Sequence, residues 1–173
     1  LKLYFHNDEP DCCTMSVTTD KTYKDAYISY FKMEEEYNLY SPNSAVFFED
    51  SLKGNFNKLK RIFSHILTDL KLGKKIQLHV KGFSSPLHKK EYNINLSKRR
   101  IQSFVNYLRL YDNMLFSPFL NSGFLQIIEL PLGESKSIKK VSDNPNDRLN
   151  SIYSLDAILE RRIEIIDIKL IDE

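Results

Sequence analysis

The sequence contains no tryptophan, only five glycines, and only two cysteines, which are adjacent at positions 12 and 13. Because a bond between neighbouring cysteines is strained, we predict that Cys12 and Cys13 are free thiols and that the chain has no disulfide framework. No further cysteine or histidine accompanies them at zinc-ligand spacing, which argues against a metal site. No apolar run approaches the ~20 residues that a membrane-spanning helix needs. These absences argue against a disulfide scaffold and against a transmembrane helix.

The composition is typical of a globular domain. Of the 173 residues, 42% are hydrophobic and 28% are charged, which argues against wholesale disorder. A chain of this length can bury a core unaided, so we expect residues 1–173 to form a single domain without a cofactor. The net charge of +2 is too small to indicate nucleic-acid binding. Since the chain opens on a strand-like run without an initiator methionine, we expect it to be a piece of a longer polypeptide whose export signal lies upstream.

Hydrophobic periodicity predicts four strands and four helices. The predicted strands are residues 1–5, 75–82, 123–130 and 163–171, and the predicted helices are residues 18–40, 47–72, 95–111 and 155–161. We expect Thr19 or Asp20 to cap the first helix, and the polar residues 131–150 to form a long loop. Helices separate most strands, so the predicted fold class is α/β (α+β), with helices packed on a mixed four-stranded sheet.

The segment from Gly82 to Ile101 is the strongest candidate for a ligand site. A strand ends there, a loop turns and a helix begins, which is where open α/β sheets bind ligands. The start of a helix offers unpaired N–H groups and the positive end of a dipole. Arg100 adds a planar fork of donors that suits a carboxylate. Together these features predict a receptor for a small anionic group.

Four ordered motifs resemble those of OmpA-like peptidoglycan-binding domains. The central one, Tyr92-Asn93-x-x-Leu96-Ser97-x-x-Arg100-Ile101, resembles that family's Tyr-Asn-x-x-Leu-Ser-x-x-Arg-Ala signature. Gly82 matches the glycine of its Gly-His-Thr-Asp strand end. The other two are Gly133-Glu134-Ser135, similar to a Gly-Glu-Ser turn, and Glu160-Arg161-Arg162-Ile163, similar to Asn-Arg-Arg-Val.

The resemblance covers roughly residues 45–170 and implies the family's βαβαβ sandwich. Residues 12–44 would then be an inserted helical segment after the first strand, of the kind found in divergent Bacteroidota-type members. A stripe of tyrosines in this segment favours core packing over a partner surface. The stripe consists of Tyr23, Tyr27, Tyr30 and Tyr37.

The implied ligand is the peptidoglycan stem peptide, held at its diaminopimelate residue. By the resemblance, Arg100 binds the carboxylate, Asn93 donates a hydrogen bond and Arg161 adds a second cation, with Ser84 and Ser85 beside the pocket. Ser85 occupies the position of the family's aspartate, so the ligand ammonium loses a charge-assisted bond of roughly 1.5–3 kcal/mol. Other acids could substitute from nearby loops. The candidates are Glu91, Glu134, Asp143 and Asp147.

Two functions follow from this resemblance. The first is a non-catalytic module that holds peptidoglycan and tethers an outer-membrane protein to the wall from the periplasm. The alternative is a scaffold domain that binds envelope proteins or upstream domains and has lost peptidoglycan binding. Neither function requires nucleic acid or direct membrane insertion of this chain.

Each proposed ligand residue also has a structural interpretation. Arg100 could form an ion pair that holds the helix to the loop, and Asn93 could be a cap or turn residue. Arg161 and Arg162 are neighbours, so we expect one to face the helices and the other solvent.

Two other charged clusters are most simply explained without a bound ligand or metal. A basic group at the predicted helix start is most simply a solvated surface. It comprises Lys89, Lys90, Lys98 and Arg99. Oxygen ligands at residues 7–11 make calcium conceivable, but the spacing is not that of an EF-hand, so we predict no metal.

We predict no enzymatic activity. His6, His65, His79 and His88 have no nucleophile motif beside them, and the sequence contains no Gly-x-Ser-x-Gly, His-Glu-x-x-His or phosphate loop. Hydrolysis of wall fragments is a third and weaker hypothesis, because the chain places no general base beside Ser84 or Ser85.

Overall fold

A computed structural model describes residues 1–135, 137 and 140–171. Its sheet contains the strands β1 (Lys2–Tyr4), β2 (Lys75–Phe83), β3 (Leu125–Gly133) and β4 (Arg162–Ile171). They lie in the order β1-β4-β2-β3. β2 and β3 are parallel, whereas β4 runs antiparallel to both β1 and β2. The mixed four-stranded sheet predicted from the sequence is confirmed.

Seven α-helices occur in the part of the chain that the structure describes. They are α1 (Tyr23–Phe31), α2 (Glu34–Tyr40), α3 (Ser44–Val46), α4 (Gly54–Lys71), α5 (Lys90–Met114), α6 (Ser117–Ser122) and α7 (Leu155–Glu160). The segments Phe47–Lys53 and Leu149–Tyr153 are π-helical. None of the described helices is both long enough and apolar enough to cross a bilayer.

The main core lies between the sheet and helices α4 and α5. Along β2, the side chains of Ile76, Leu78 and Val80 are buried, since alternate residues of a strand point to the same face. The face that α4 turns to the core consists of Phe56, Leu59, Phe63, Ile66 and Leu70. Burial of each such side chain contributes roughly 1.5–3 kcal/mol. This layer fixes the position of α5, which carries the central motif.

A second, aromatic cluster joins α1 and α2 to the rest of the fold. Its buried members are Tyr4, Tyr30, Tyr37, Phe47, Phe48, Leu52, Tyr153 and Ile158. Tyr4 reaches it from β1, with its ring centroid 5.1 Å from that of Phe47. Tyr23, Tyr30 and Tyr37 have no exposed surface, so the prediction that the tyrosine stripe packs in the core is confirmed for these three.

Several predicted boundaries are wrong. Helix α5 begins at Lys90, so Tyr92 and Asn93 lie inside the helix; the N-cap, Lys89, makes no capping bond that could have marked the start. The predicted helix over residues 18–40 is two helices, α1 and α2. Its cap is Thr22, which forms a capping box with Asp25, and not Thr19 or Asp20.

The predicted loop over residues 131–150 is also partly regular. β3 continues through Pro131 to Gly133, and a π-helical turn starts at Leu149. α6 is not predicted by the sequence at all, because six residues that include a proline are too few to display a helical period.

Candidate functional site

The end of β2 and helix α5 approach each other at Gly82. A Cβ atom on Gly82 would lie 2.6 Å from the carbonyl oxygen of Ser97, so only glycine fits there. The Ser97 hydroxyl accepts a hydrogen bond of 3.3 Å from the backbone N–H of Gly133 at the end of β3. Gly133 itself has a φ of 57°. These contacts of the motif residues hold the ends of β2 and β3 against helix α5.

Arg100 is completely buried, and the backbone of its own chain accepts its hydrogen bonds. Its Nε donates to the carbonyl of Glu9 at 2.9 Å, its Nη1 to that of Phe83 at 2.8 Å, and its Nη2 to that of His6 at 3.4 Å. The Phe5 ring lies against the guanidinium at 5.3 Å. In this conformation the residue predicted to receive a ligand carboxylate is bonded to three backbone carbonyls, two of them in the N-terminal segment.

Arg99 is bound by the same segment. It donates to the carbonyls of Pro10, Thr14 and Ser16 at 3.1, 3.0 and 2.7 Å. It is completely buried, so the prediction that it belongs to a solvated basic patch is wrong for this residue. We call residues 6–16, which supply carbonyls to both arginines, the covering segment.

Arg161 is the third completely buried arginine. Its Nη2 donates to the carbonyl of Ile152 at 2.8 Å and to the hydroxyl of Tyr37 at 3.1 Å, and its Nε to the carbonyl of Phe5 at 3.4 Å. Its Nη1 has no hydrogen-bond partner among the described residues. Arg162, by contrast, pairs with Glu164 at 2.7 Å and its side chain is 19% exposed. The two neighbouring arginines therefore differ in environment, but Arg162 does not fully face solvent as predicted.

The three buried arginines repel one another, since the charges of Arg161 and Arg99 both lower the pKa of Arg100. Within the described residues, none of them forms an ion pair with a carboxylate. Burial and the neighbouring charge of Arg161 lower the pKa of Arg100 to about 9, an effect that the charge of Asp8 partly offsets. The guanidinium still carries its charge at neutral pH.

Arg100 also lies far from the helix start. It is in the third turn of α5, about 15 Å along the axis from the first residue at a rise of 1.5 Å per residue. The predicted receptor combined this side chain with the unpaired N–H groups of the first turn. The earlier start of α5 separates these two parts.

Asn93 and Ser84 tie elements together, and Ser85 is buried beside them. The amide of Asn93 donates to the carbonyl of His88 at 2.7 Å and to the carboxylate of Glu134. The hydroxyl of Ser84 donates to the carbonyl of Asn93 at 3.1 Å. Ser85 is only 5% exposed. These predicted ligand residues are all buried, and the bonds of Asn93 and Ser84 hold the turn after β2 to α5 and β3.

None of the acids suggested as substitutes for the family aspartate pairs with Arg100. Glu134 binds Asn93, Asp147 binds Asn150, and Glu91 and Asp143 are exposed. The carboxylate whose charge acts on Arg100 is that of Asp8, in the covering segment. No local pattern marks Asp8, because its partners come from a distant part of the chain.

His6 belongs to the same buried network. Its Nδ1 lies 2.7 Å from the Tyr37 hydroxyl. Since that hydroxyl accepts from Arg161, its proton is free to be donated to His6. Burial, reinforced by the charges of Arg161 and Arg100, lowers the pKa of His6 to about 3. No pattern in the sequence around His6 predicts this role.

The structure joins Cys12 and Cys13 in a disulfide, so the prediction of two free thiols is wrong. The bond forms in a turn that brings both sulfurs close to Asp8. Two of the acids that made calcium conceivable pair with a lysine instead, since Lys21 lies 3.1 Å from Asp11 and 3.7 Å from Glu9.

An open cleft of about 590 Å³ lies beyond the end of β2. Pro86, Lys140, Asp143 and Asp147 are among the residues that line it.

Comparison of this chain with protein-family models, with curated proteins and with solved structures finds no significant match.

Proposed function

We propose that this chain is a non-catalytic interaction domain of the cell envelope that has an OmpA-like architecture and does not hold peptidoglycan at its buried arginines. The four ordered motifs and the mixed sheet support this architecture. The observation that carries the proposal is the complete burial of Arg100 under the chain's own covering segment. A stem peptide would compete with intramolecular carbonyls that are already in place.

The exposed apolar residues of the sheet support an interaction role. Ile128 and Leu130 of β3 are 40% and 47% exposed. They pair in register with His79 and Lys81 of β2, and paired residues of neighbouring strands point to the same face of a sheet. This face carries apolar side chains rimmed by polar ones, an arrangement typical of a protein-binding surface.

Sedimentation with purified sacculi tests whether peptidoglycan is the ligand. We expect the wild-type domain to stay in the supernatant, together with an Arg109→Ala variant that changes an exposed arginine of the same helix. Retention of the wild type that is lost in Arg100→Ala, with both proteins folded, would overturn the proposal.

Cross-linking of the full polypeptide in cells tests the interaction role. We expect the double variant Ile128→Lys, Leu130→Lys to lose specific envelope cross-links. Leu72→Lys is the matched control, because Leu72 is an apolar residue with 70% exposure outside the sheet. Equal cross-linking in all three proteins contradicts the use of this surface.

Stem-peptide binding remains a second candidate because of one observation. Arg161 Nη1 is buried without a hydrogen bond of good geometry in the described chain. The Tyr30 hydroxyl interacts with the same guanidinium but is neutral, so this charged group favours an anionic acceptor. Binding would require the covering segment to move away from Arg100. The sacculus experiment distinguishes the two candidates.

A further inference from the structure

Three side chains with metal-binding chemistry meet in the covering segment, and a fourth, His88, contacts one of them. A carboxylate oxygen of Asp8 and the sulfurs of Cys12 and Cys13 all lie within 4.8 Å of one another. The Nε2 of His88, in the turn before α5, lies 3.7 Å from Oδ2 of Asp8. We propose that, once the disulfide is reduced, Cys12, Cys13, Asp8 and His88 bind one zinc ion. This site does not depend on the function proposed above.

The separation of His88 from Asp8 suits two ligands of a tetrahedral ion. Zinc bonds of 2.0–2.3 Å at tetrahedral angles place neighbouring ligand atoms about 3.3–3.8 Å apart. The separation of His88 Nε2 from the Asp8 carboxylate lies in this range. Two thiolates, one imidazole and one carboxylate are a ligand set that zinc accepts, whereas calcium and magnesium require oxygen ligands alone.

The surrounding residues hold the ligands in place. The hydroxyl of Tyr92 donates to Asp8 and accepts from the backbone N–H of Cys13 at 3.0 Å. The His88 ring packs against Tyr92 with a centroid separation of 4.5 Å. Such contacts around metal ligands fix their orientation and raise affinity.

Arg99 fixes the backbone on both sides of the cysteines. It donates to the carbonyl of Pro10 before them and to that of Thr14 after them. Its guanidinium also lies over the Tyr92 ring at 5.4 Å. Zinc with two thiolates and one carboxylate has a net charge of −1, so the buried cation beside the site stabilises the loaded form.

Access is open to both a reductant and a metal ion. Cys12 and Cys13 are exposed, and the His88 side chain is 38% exposed. A dithiol reductant would give two electrons and two protons to the disulfide by exchange and would itself become a disulfide. Zinc would then displace the two thiol protons as the Zn–S bonds form. The two sulfurs would then lie roughly 3.7 Å apart.

Cobalt titration of the 173-residue chain tests the site. After reduction with a phosphine, which contains no thiol, we expect one equivalent of Co²⁺ to give thiolate charge-transfer and tetrahedral ligand-field absorption, which Zn²⁺ then abolishes. The oxidised protein should give neither. Absence of these bands from the reduced, folded protein would overturn the proposal.

Substitutions at the two non-sulfur ligands make the test specific. We expect His88→Ala and Asp8→Asn each to weaken Zn²⁺ binding by at least about tenfold, while His65→Ala, at an exposed histidine outside the cluster, has no effect. Equal affinity in all four proteins would mean that the thiols bind metal alone, which contradicts the proposed site. Zn²⁺ should also slow alkylation of both cysteines in the reduced wild type, a readout that needs no variant to fold.

Discussion

The hydroxyl of Tyr37 lies 2.7 Å from His6 Nδ1 and 3.1 Å from Arg161 Nη2. One phenol thus accepts from a cation and faces the lone pair of a neutral imidazole. These two contacts of the Tyr37 hydroxyl join helix α2, in the 12–44 segment, to the covering segment and to Arg161 just before β4. The segment that looks like an insertion in the sequence is therefore part of the buried polar network.

Replacement of Tyr37 by phenylalanine tests the importance of this hydroxyl. The ring is kept, but Arg161 Nη2 loses one of its two acceptors and His6 Nδ1 loses its partner. We expect the free energy of unfolding to fall by about 1–3 kcal/mol in urea denaturation. Tyr40→Phe, in which the ring stacked on Tyr153 is retained at a 42% exposed position, should change it by less than about 0.5 kcal/mol. Equal effects of the two substitutions would contradict the role of the network.

Acid should destabilise the oxidised, metal-free protein through His6. Its folded pKa of about 3 lies below an unfolded value of about 6.5. Between these values the unfolded chain binds a proton that the folded chain does not, so stability is present above pH 6.5 and falls as the pH drops. The slope is about 1.4 kcal/mol per pH unit for one group.

Urea unfolding at a series of pH values measures this slope. His6→Gln should flatten the curve between pH 6 and pH 4, whereas His65→Gln should leave it unchanged. A wild-type curve with no His6-dependent component over that interval would show that the histidine is protonated in the folded state.

Gly82→Ala should destabilise the domain strongly. The added methyl would lie 2.6 Å from the Ser97 carbonyl oxygen, and backbone on both sides must shift to relieve the contact. We expect a loss of roughly 1–3 kcal/mol or more in thermal or urea unfolding. Gly54→Ala is the control, since its nearest neighbour would be at an ordinary 3.5 Å. That helical substitution should stabilise by about 0.5–1 kcal/mol, and a similar result at Gly82 would contradict the close approach.

Arg100→Lys should loosen the covering segment. Lysine keeps the charge but cannot bond three carbonyls that lie in different directions around a planar fork. We expect amide hydrogen exchange to accelerate at residues 6–16 and to stay nearly unchanged in β2. Arg109→Lys, at an exposed position on α5, should alter neither. Unchanged protection of residues 6–16 in Arg100→Lys would mean that other contacts hold this segment.

The sequence predicted the elements that display a clear period. Ile76, Leu78 and Val80 alternate, and that alternation correctly placed β2 and its buried face. The sequence did not predict the N-terminus of α5, because Lys89 offers no capping side chain. Boundaries of this kind depend on tertiary contacts, which override weak local signals.

The candidate site was only partly predictable for a related reason. The motif identified Arg100 and Arg161 as exceptional residues, and both are completely buried. What surrounds them comes from residues 6–16, and no pattern near position 100 encodes contacts with that segment. The proposed zinc ligands His88 and Cys12 are likewise far apart in the chain, so a spacing rule for metal ligands could not join them.

The covering segment also constrains the order of folding. Its bonds to Arg99 and Arg100 connect residues 83–94 positions apart, and contacts across such long loops form slowly because their closure costs chain entropy. Residues 6–16 leave the ribosome long before α5 is complete, so they have no docking partner during most of synthesis. Until α5 has packed on the sheet, the guanidinium groups of Arg99 and Arg100 remain hydrated. A segment that is synthesised before α5 is therefore among the last parts of this fold to reach its final position.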